Sequence, residues 1–135
     1  MDEDTNAFNK IMDAFGLPKG NDAEKAARTE AIQEATRYAI DIPFKVMKKS
    51  LAVMEVVKAM AEIGNPNSVT DAGVGALAAR SAVMGAYLNV KINASGLKDK
   101  TYVDQVIAEG AQMEKEAQSA EAEILKIVNE KISNG

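Results

Sequence analysis

The sequence predicts an all-α fold, a bundle of about four long helices. Apolar residues recur every three or four positions along most of the chain, which is the spacing of one helix face. Aromatic residues make up only 4% of the chain and no run alternates apolar with polar residues for long, so strand signals are nearly absent. Because 135 residues suit one domain, we expect residues 1–135 to form a single helical domain.

The first two helices are predicted over about Glu3–Phe15 and Ala23–Ile63. A Gly-Leu-Pro-Lys-Gly turn separates them, and Asn21 or Asp22 is expected to cap the second helix. Pro43 lies inside the second helix, where it removes a backbone donor and clashes with the preceding turn. The sequence therefore predicts a kink or a short break just before this proline.

The third helix is predicted from a cap at Ser68 or Thr70 to about Asn93, after a Gly-Asn-Pro-Asn turn. Ser68 and the acid three residues later resemble a capping box with Asp in place of Glu. The fourth helix is predicted from a cap at Asp99 to about Ile132. Its length, roughly 50 Å, exceeds what a small bundle needs, which favours packing against a partner subunit.

The third helix is dense in alanine and glycine. Small side chains let a neighbouring backbone approach closely, so we expect a central helix that is touched on several sides. Its stripe is expected to comprise Val74, Leu77, Ser81, Met84 or Gly85, Leu88 and Ile92. Arg80 interrupts the apolar run 72–90, which favours a buried helix over a membrane span.

The composition excludes several kinds of site. The chain has no cysteine, which excludes disulfides, thiolate nucleophiles and cysteine-bound metals. It also has no histidine, so a Ser-His-Asp triad, a histidine base and a histidine-bound zinc are impossible. Acid–base chemistry must therefore use Asp, Glu, Lys or Tyr.

The charge balance argues against two classes of partner. A net charge of −4 offers no basic excess to neutralise nucleic-acid phosphates or an anionic membrane surface. The acidic start of the chain lacks the apolar segment of a secretory signal. We therefore expect a soluble, cytoplasmic protein that binds neither nucleic acid nor membrane.

The first candidate site residue is Asp4. Acidic side chains at a helix start are usually explained by the helix dipole. However, Asp4 shares one side of the helix with Phe8 and Ile11, four and seven residues on. It is therefore a candidate for a carboxylate at the edge of a buried face, where its pKa can be tuned.

Asp71 and Asn89 are the next candidates. Asp71 ends an Asn-Pro-Asn-Ser-Val-Thr-Asp segment, which is either a turn with a cap or a helix N-terminus that receives a polar ligand group. Asn89 and Asn93 lie four apart on an otherwise apolar helix, where asparagine is unfavourable. Each is either a structural bridge or a ligand contact. Lys45, Lys48 and Lys49 are a solvated face or a contact for an anionic substrate tail.

Several segments, taken in order, resemble one family. They are Asp2-x-Asp4-x-x-Ala7-Phe8, Leu17-Pro18-Lys19, residues 31–35 (Ala-Ile-Gln-Glu-Ala), Ile42-Pro43, residues 64–74 (Gly-Asn-Pro-Asn-Ser-Val-Thr-Asp-Ala-Gly-Val) and residues 85–93 (Gly-Ala-Tyr-Leu-Asn-Val-Lys-Ile-Asn). Together they resemble the cyclodeaminase domain of formiminotransferase-cyclodeaminase and the stand-alone bacterial methenyltetrahydrofolate cyclohydrolases. The resemblance covers nearly the whole chain.

The resemblance implies a helical, homodimeric domain that binds a tetrahydrofolate derivative without a metal or other cofactor. The implied reaction is closure of 5-formiminotetrahydrofolate to 5,10-methenyltetrahydrofolate with loss of ammonia, or hydrolysis of the methenyl compound to 10-formyltetrahydrofolate. It implies that Asp4 is the catalytic carboxylate and that Asp71 and Asn89 are pocket residues. The anionic folate tail would need a cation, for which Lys45, Lys48 and Lys91 are candidates.

One departure from the family pattern qualifies this expectation. Family members carry a Gly-rich segment and apolar helices before the Asp-x-Asp motif, whereas here Met1 directly precedes Asp2. Loss of those helices is expected to expose apolar surface and to remove one wall of the pocket. The alternatives are an inactive relative acting as a folate-binding or helical dimerisation module, and a purely structural helical oligomer. The Asn and Asp residues in apolar context count against the last.

Overall fold

The computed structural model describes residues 2–134, except for the side chains of Asp2 and Asp4, and over that range it contains four helices and no strand. These are α1 (Asp2–Phe15), α2 (Asp22–Ile63), α3 (Val69–Ala94) and α4 (Lys100–Asn134). The all-α prediction is confirmed, and each predicted helix end lies within about two residues of the observed one.

Two predicted helix caps are confirmed. The Asn21 side chain accepts a hydrogen bond from the backbone N–H of Glu24 at 2.9 Å, at the start of α2. Glu24 in turn accepts from the backbone N–H of Gly20 at 2.8 Å. Asp99 accepts from the backbone N–H of Tyr102 at 3.2 Å, at the start of α4. Each cap pairs donors that the first helical turn leaves without a partner.

The predicted capping box at Ser68 is wrong. Ser68 occupies the N-cap position, but its backbone is helical (φ −108°, ψ −17°) and its side chain makes no cap hydrogen bond. Its hydroxyl instead donates to the Asn65 carbonyl at 3.3 Å. Asn65 organises this turn, because its side chain accepts from the backbone N–H groups of Asn67 at 2.9 Å and Ser68 at 3.1 Å.

Of the kink or short break predicted before Pro43, the break does not occur in α2. Helix α2 runs without interruption from Asp22 to Ile63, with Pro43 and its neighbour Ile42 both buried. A proline in a helix leaves the carbonyl four residues earlier without its usual donor. Here that carbonyl belongs to Ala39, and a side chain of α3 supplies the donor instead, as described below.

Helix α3 packs against both α2 and α4, so it is touched on more than one side, as predicted. The helix that contacts all three others is α2, however, so the central position belongs to α2 and not to α3. Two glycines of α3 stand at its contacts. A Cβ on Gly73 would lie 3.4 Å from Val128 of α4, and one on Gly75 would lie 3.3 Å from Val57 of α2. Close approach of these helices therefore depends on small residues in α3. The largest fully buried side chains are Ile40, Met47, Met54, Val69, Val83, Val90 and Ile124.

The outer face of α3 is the predicted stripe. Val74, Leu88 and Ile92 are 65%, 64% and 71% exposed, and Gly85 has open space around it. The residues that α3 buries within the chain are mainly alanine, glycine and valine. The stripe was therefore identified correctly as one side of the helix, but it does not face the core of this chain.

The apolar run 72–90 lies within α3, and its Arg80 pairs with Glu121 of α4. None of the helices in the described part of the chain is apolar enough over sufficient length to span a membrane.

Candidate functional site

A cavity of about 290 Å³ lies where α1, α2 and α3 meet, and we call it the three-helix pocket. It is lined by Ala7, Phe8, Ile11, Ala39, Pro43, Asn89 and Asn93. All of these except Ile11 and Ala39 belong to the segments that carry the family resemblance. The sequence motifs on three different helices therefore converge on one place.

Alanine at the helix contacts gives the pocket its shape. Ala7 of α1 and Ala39 of α2 are buried together with Ile42, and Ile11 packs against them. The small side chains let α1 come close to α2, which places the next turn of α1 at the pocket. Phe8 remains 62% exposed at the rim, where it is available to contact a flat ligand.

Asn93 ties two walls of the pocket together. Its side-chain Nδ2 donates to the Ala39 carbonyl of α2 at 3.4 Å and to the Asn89 carbonyl of its own helix at 2.9 Å. The Ala39 carbonyl is the one that Pro43 leaves without a helical donor. For Asn93, the structural-bridge interpretation is therefore correct for the amide nitrogen.

Asn89 differs from Asn93 in that its side chain is exposed and makes no hydrogen bond to any described residue. An asparagine in the second half of α3 lowers helix propensity. Its position on the pocket wall is a reason to keep it as a candidate ligand contact.

Asp4 lies in the first turn of α1, one turn before Phe8. Its side chain lies outside the described part of the structure, so only its place on the helix is known. Four residues separate Asp4 from Phe8, the spacing at which helical residues share one face.

Asp71 does not meet Asn89 within one chain. Asp71 is exposed in the first turn of α3, whereas Asn89 lies in the second half of the same helix. At 1.5 Å per residue, eighteen residues separate them by about 27 Å. A single chain therefore does not assemble all the residues that the sequence singled out.

The three lysines suggested for a folate tail do not line the three-helix pocket. Lys48 stacks over Phe44 at 4.6 Å, and Lys91 stacks over Tyr87 at 4.5 Å. Lys45 lines a separate cavity of about 310 Å³ between α2 and α4. These side chains are about half a turn away from Pro43 and Asn89 on their helices, which explains why they face elsewhere.

The α2–α4 side carries a polar cluster that the sequence reasoning missed. The Tyr102 hydroxyl donates to the Asp41 carboxylate, and the Arg37 guanidinium stacks on the Tyr102 ring at 4.0 Å from its centroid. Burial and the hydrogen bond to Asp41 raise the pKa of Tyr102 to about 12. Asp41 and Tyr102 are 61 positions apart, and no local pattern links them.

The largest cavity, about 520 Å³, also lies between α2 and α4. Its lining includes Leu51, Met54 and Met113, and of the residues predicted to form a site only Lys48, a candidate for the folate tail, lines it. Size alone does not identify a site, so the three-helix pocket remains the candidate on chemical grounds.

The comparisons with known proteins confirm the family resemblance. The family model described as formiminotransferase-cyclodeaminase matches residues 1–112. A methenyltetrahydrofolate cyclohydrolase of Methylorubrum extorquens is 37% identical over 131 residues, covering 97% of this chain and 63% of that protein. A formimidoyltransferase-cyclodeaminase of Dictyostelium discoideum is 36% identical over 126 residues, covering 93% of this chain and 22% of that protein.

A solved structure shares the fold. The formiminotetrahydrofolate cyclodeaminase of Thermotoga maritima superposes with a TM-score of 0.78 at 23% identity, covering 94% of this chain and 59% of that one. The chain thus spans about three fifths of the cyclohydrolase and of this structure. With most of its length matched by the family model, the chain belongs to the formiminotransferase-cyclodeaminase family.

Proposed function

We propose that the three-helix pocket binds a tetrahydrofolate derivative and that the protein catalyses one-carbon chemistry on it, with Asp4 as the acid–base group. The convergence of family motifs from α1, α2 and α3 on one cavity supports this proposal. The relatives named as cyclohydrolase and cyclodeaminase support the reaction class. We place the activity in the cytoplasm and expect no metal to take part.

In the deaminase direction, N10 attacks the carbon of the protonated formimino group of 5-formiminotetrahydrofolate. The proton on N10 moves to the departing nitrogen, the carbon–nitrogen bond breaks, and ammonia leaves the methenyl cation. A carboxylate at Asp4 can accept the proton from N10 and return it to the leaving nitrogen. Its negative charge also stabilises the cationic amidinium-like group in both substrate and product.

In the hydrolase direction, water adds to the carbon of the methenyl cation and loses one proton. The bond from that carbon to N5 then breaks, which leaves the formyl group on N10. The same carboxylate can take the proton from water and deliver one to N5. One carboxylate thus serves both reactions, and neither requires a covalent nucleophile.

We also propose that the protein acts as a homodimer. The outer face of α3 carries Val74, Ala78, Ser81, Gly85, Leu88 and Ile92, all exposed, and we call it the α3 seam. Spacings of four and three residues alternate along it, as they do along the seam of a coiled coil. Three large apolar side chains exposed on one line favour a protein interface.

An antiparallel pairing of two seams satisfies size and charge. It sets Ser81 against Gly85 of the partner subunit at the centre, where small residues permit close approach. Towards the ends it sets Val74 against the partner's Ile92. A parallel pairing would instead place Asp71 beside the partner's Asp71, and like charges repel.

The antiparallel pairing also explains the separation of Asp71 from Asn89. The N-terminal end of one α3 then lies beside the C-terminal end of the other, about where Asn89 and Asn93 line the pocket. Asp71 of the partner subunit would thereby reach each three-helix pocket. We propose that Asp71 contributes to substrate binding in this way, together with Asn89.

The activity is tested by the near-ultraviolet absorbance of methenyltetrahydrofolate. One sample receives the formimino compound and another the methenyl compound, each with the parent protein or with Asp4→Asn. We expect a rise in the first or a decay in the second with the parent, and a loss of about 100-fold or more with Asp4→Asn, because the variant cannot accept a proton. Circular dichroism should show equal helicity in both proteins.

The possible outcomes separate the candidates. Equal rates in parent and Asp4→Asn would contradict the assignment of Asp4. Folate binding without turnover by the parent would favour a folate-binding or dimerisation module over an enzyme. Neither binding nor turnover would leave a helical family member without the proposed function.

A further inference from the structure

The two hydrogens on the Asn93 side-chain nitrogen are both engaged. Nδ2 donates to the Ala39 carbonyl at 3.4 Å and to the Asn89 carbonyl at 2.9 Å. Both partners are acceptors, so the carboxamide must present its nitrogen to them and cannot be flipped without losing both bonds. The orientation of the Asn93 side chain is therefore fixed.

The side-chain oxygen of Asn93, Oδ1, has no such partner in the described part of the chain. Among the described residues no donor is hydrogen-bonded to Oδ1, although Asn93 is half-buried and lines the three-helix pocket. Since an amide is planar, an oxygen whose nitrogen is held by two carbonyls points away from those carbonyls. Asn93 therefore brings to the lining of the pocket an acceptor whose orientation is fixed and whose lone pairs no described donor uses.

We propose that Asn93 is a specificity-determining residue whose Oδ1 accepts a hydrogen bond from an N–H group of the bound folate derivative. This inference rests on the proposed function of the pocket. A preoriented acceptor favours a ligand that offers an N–H at this point over one that offers a lone pair, because two facing acceptors would both lose hydrogen bonds on desolvation.

Pro43 makes the orienting role of Asn93 separable from ligand binding. In Pro43→Ala the new backbone N–H can donate to the Ala39 carbonyl within the helix, so the bridge from Asn93 becomes redundant. Asn93→Ala should lower the melting temperature by roughly 3–6 °C in the parent. In the Pro43→Ala background the same substitution should have much less effect.

The binding role is then tested in that background, where the fold no longer needs the bridge. Tetrahydrofolate affinity is measured by calorimetry under reducing conditions for Pro43→Ala, Pro43→Ala/Asn93→Ala and Pro43→Ala/Asn93→Leu. The alanine variant removes the acceptor and should bind about 3- to 10-fold more weakly than Pro43→Ala. The leucine variant keeps the shape of the side chain without an acceptor and should bind as weakly as the alanine variant.

A matched control is Gln112→Ala in the same background. Gln112 is an exposed residue of α4 that bonds only to Glu116 among the described residues. This substitution should leave tetrahydrofolate affinity unchanged.

Three outcomes would overturn the inference. Equal affinity of Pro43→Ala and its Asn93→Ala derivative would show that Oδ1 contacts no ligand. Affinity of the Asn93→Leu derivative equal to that of Pro43→Ala would show that an acceptor is not what matters. Absence of tetrahydrofolate binding by the parent would remove the proposed function and the inference with it, and this result differs from the other two because no variant is then needed.

Discussion

The two sides of α3 differ in what fills the space beside a glycine. On the side facing α4, Gly110 of α4 lies beneath the ring of Tyr87 of α3, whose hydroxyl donates to the Ile107 carbonyl at 2.8 Å. On the outer side, Gly85 has no atom within 4 Å of where a Cβ would stand. The space beside Gly110 is filled by a ring of the same chain, whereas the space beside Gly85 is left open to another molecule.

Polar links follow the same division. Helix α4 is tied to the rest of the bundle by Arg80 with Glu121, by Lys58 with Glu123 at 2.8 Å and by Lys131 with the Gly64 carbonyl at 2.8 Å. The α3 seam offers exposed apolar side chains instead. The comparison teaches that a stripe of small and apolar residues marks a contact without saying whether the contact lies within the chain.

The sharpest test of the α3 seam as a dimer interface is complementation between two inactive variants. In the proposed antiparallel dimer each pocket would combine its own Asp4 with Asp71 of the partner subunit. Asp4→Asn and Asp71→Asn should each lower turnover, by about 100-fold for Asp4→Asn. After unfolding and refolding together, half of the dimers are mixed and one of their two pockets is intact, so about a quarter of the parent rate should return.

A site formed within a single chain would give the opposite result in the same experiment. If Asp4 and Asp71 acted within the same chain, every pocket in the mixture would lack one of them and no activity would return. The two variants refolded separately provide the control rates. Recovery that is absent while mixed dimers are detected by mass spectrometry would contradict the antiparallel arrangement.

At the contact between α3 and α4, Gly110→Ala is expected to destabilise the fold by about 2–3 kcal/mol. The added Cβ would lie 2.7 Å from Cδ1 of Tyr87, a ring that is buried and anchored by its hydroxyl. Urea unfolding measures the loss. The matched control is Gly85→Ala, where open space means that the higher helix propensity of alanine should offset any loss in the monomer. Equal effects at both glycines would contradict the comparison.

At the α3 seam, Gly85→Leu should raise the dissociation constant of the proposed dimer about 30-fold, or about 2 kcal/mol. The reason is that a large side chain would separate the two seams at their centre. Sedimentation equilibrium measures the change in dissociation constant. Urea unfolding of the dilute monomer should show no loss, since the side chain meets nothing in its own chain. A monomeric parent protein would contradict the dimer directly.

The sequence predicted the helices well because their signals are local. The turn residues and the caps at Asn21 and Asp99 act within four residues. Continuity through Pro43 could not be predicted, because its compensating donor is Asn93, fifty residues away. Asp41 and Tyr102 meet for the same non-local reason.

The candidate site was predictable in part. The family motifs named Asn89, which lines the pocket, and Asp71, which lies at the other end of α3. Helical periodicity groups residues by face, but it cannot tell whether a face meets its own chain or a second copy. For that reason the periodicity of α3 predicted its stripe but not that this stripe faces outward.

The smallest effect concerns Tyr102, which links α4 to α2. Tyr102→Phe removes the hydrogen bond to Asp41 and should cost about 1 kcal/mol at neutral pH. The pKa of Tyr102 is raised to about 12 in the folded protein, above the value of about 10 for a free tyrosine. A raised pKa means that the neutral phenol stabilises the fold, fully below pH 10 and less and less as the pH rises from 10 towards 12.

Urea unfolding between pH 8 and about pH 11.5 tests this prediction. Over the alkaline part of that range, the free energy of unfolding of the parent should fall more steeply than that of Tyr102→Phe, because only the parent must ionise this phenol on unfolding. Tyr38→Phe is the matched control, since the Tyr38 hydroxyl has no hydrogen bond to the described residues and its ring stacks with Lys10. Parallel pH profiles for the parent and Tyr102→Phe would mean that the Tyr102–Asp41 contact does not hold α4 to α2. The attachment of α4 would then depend on its apolar packing and on its other polar links, such as Lys58 with Glu123.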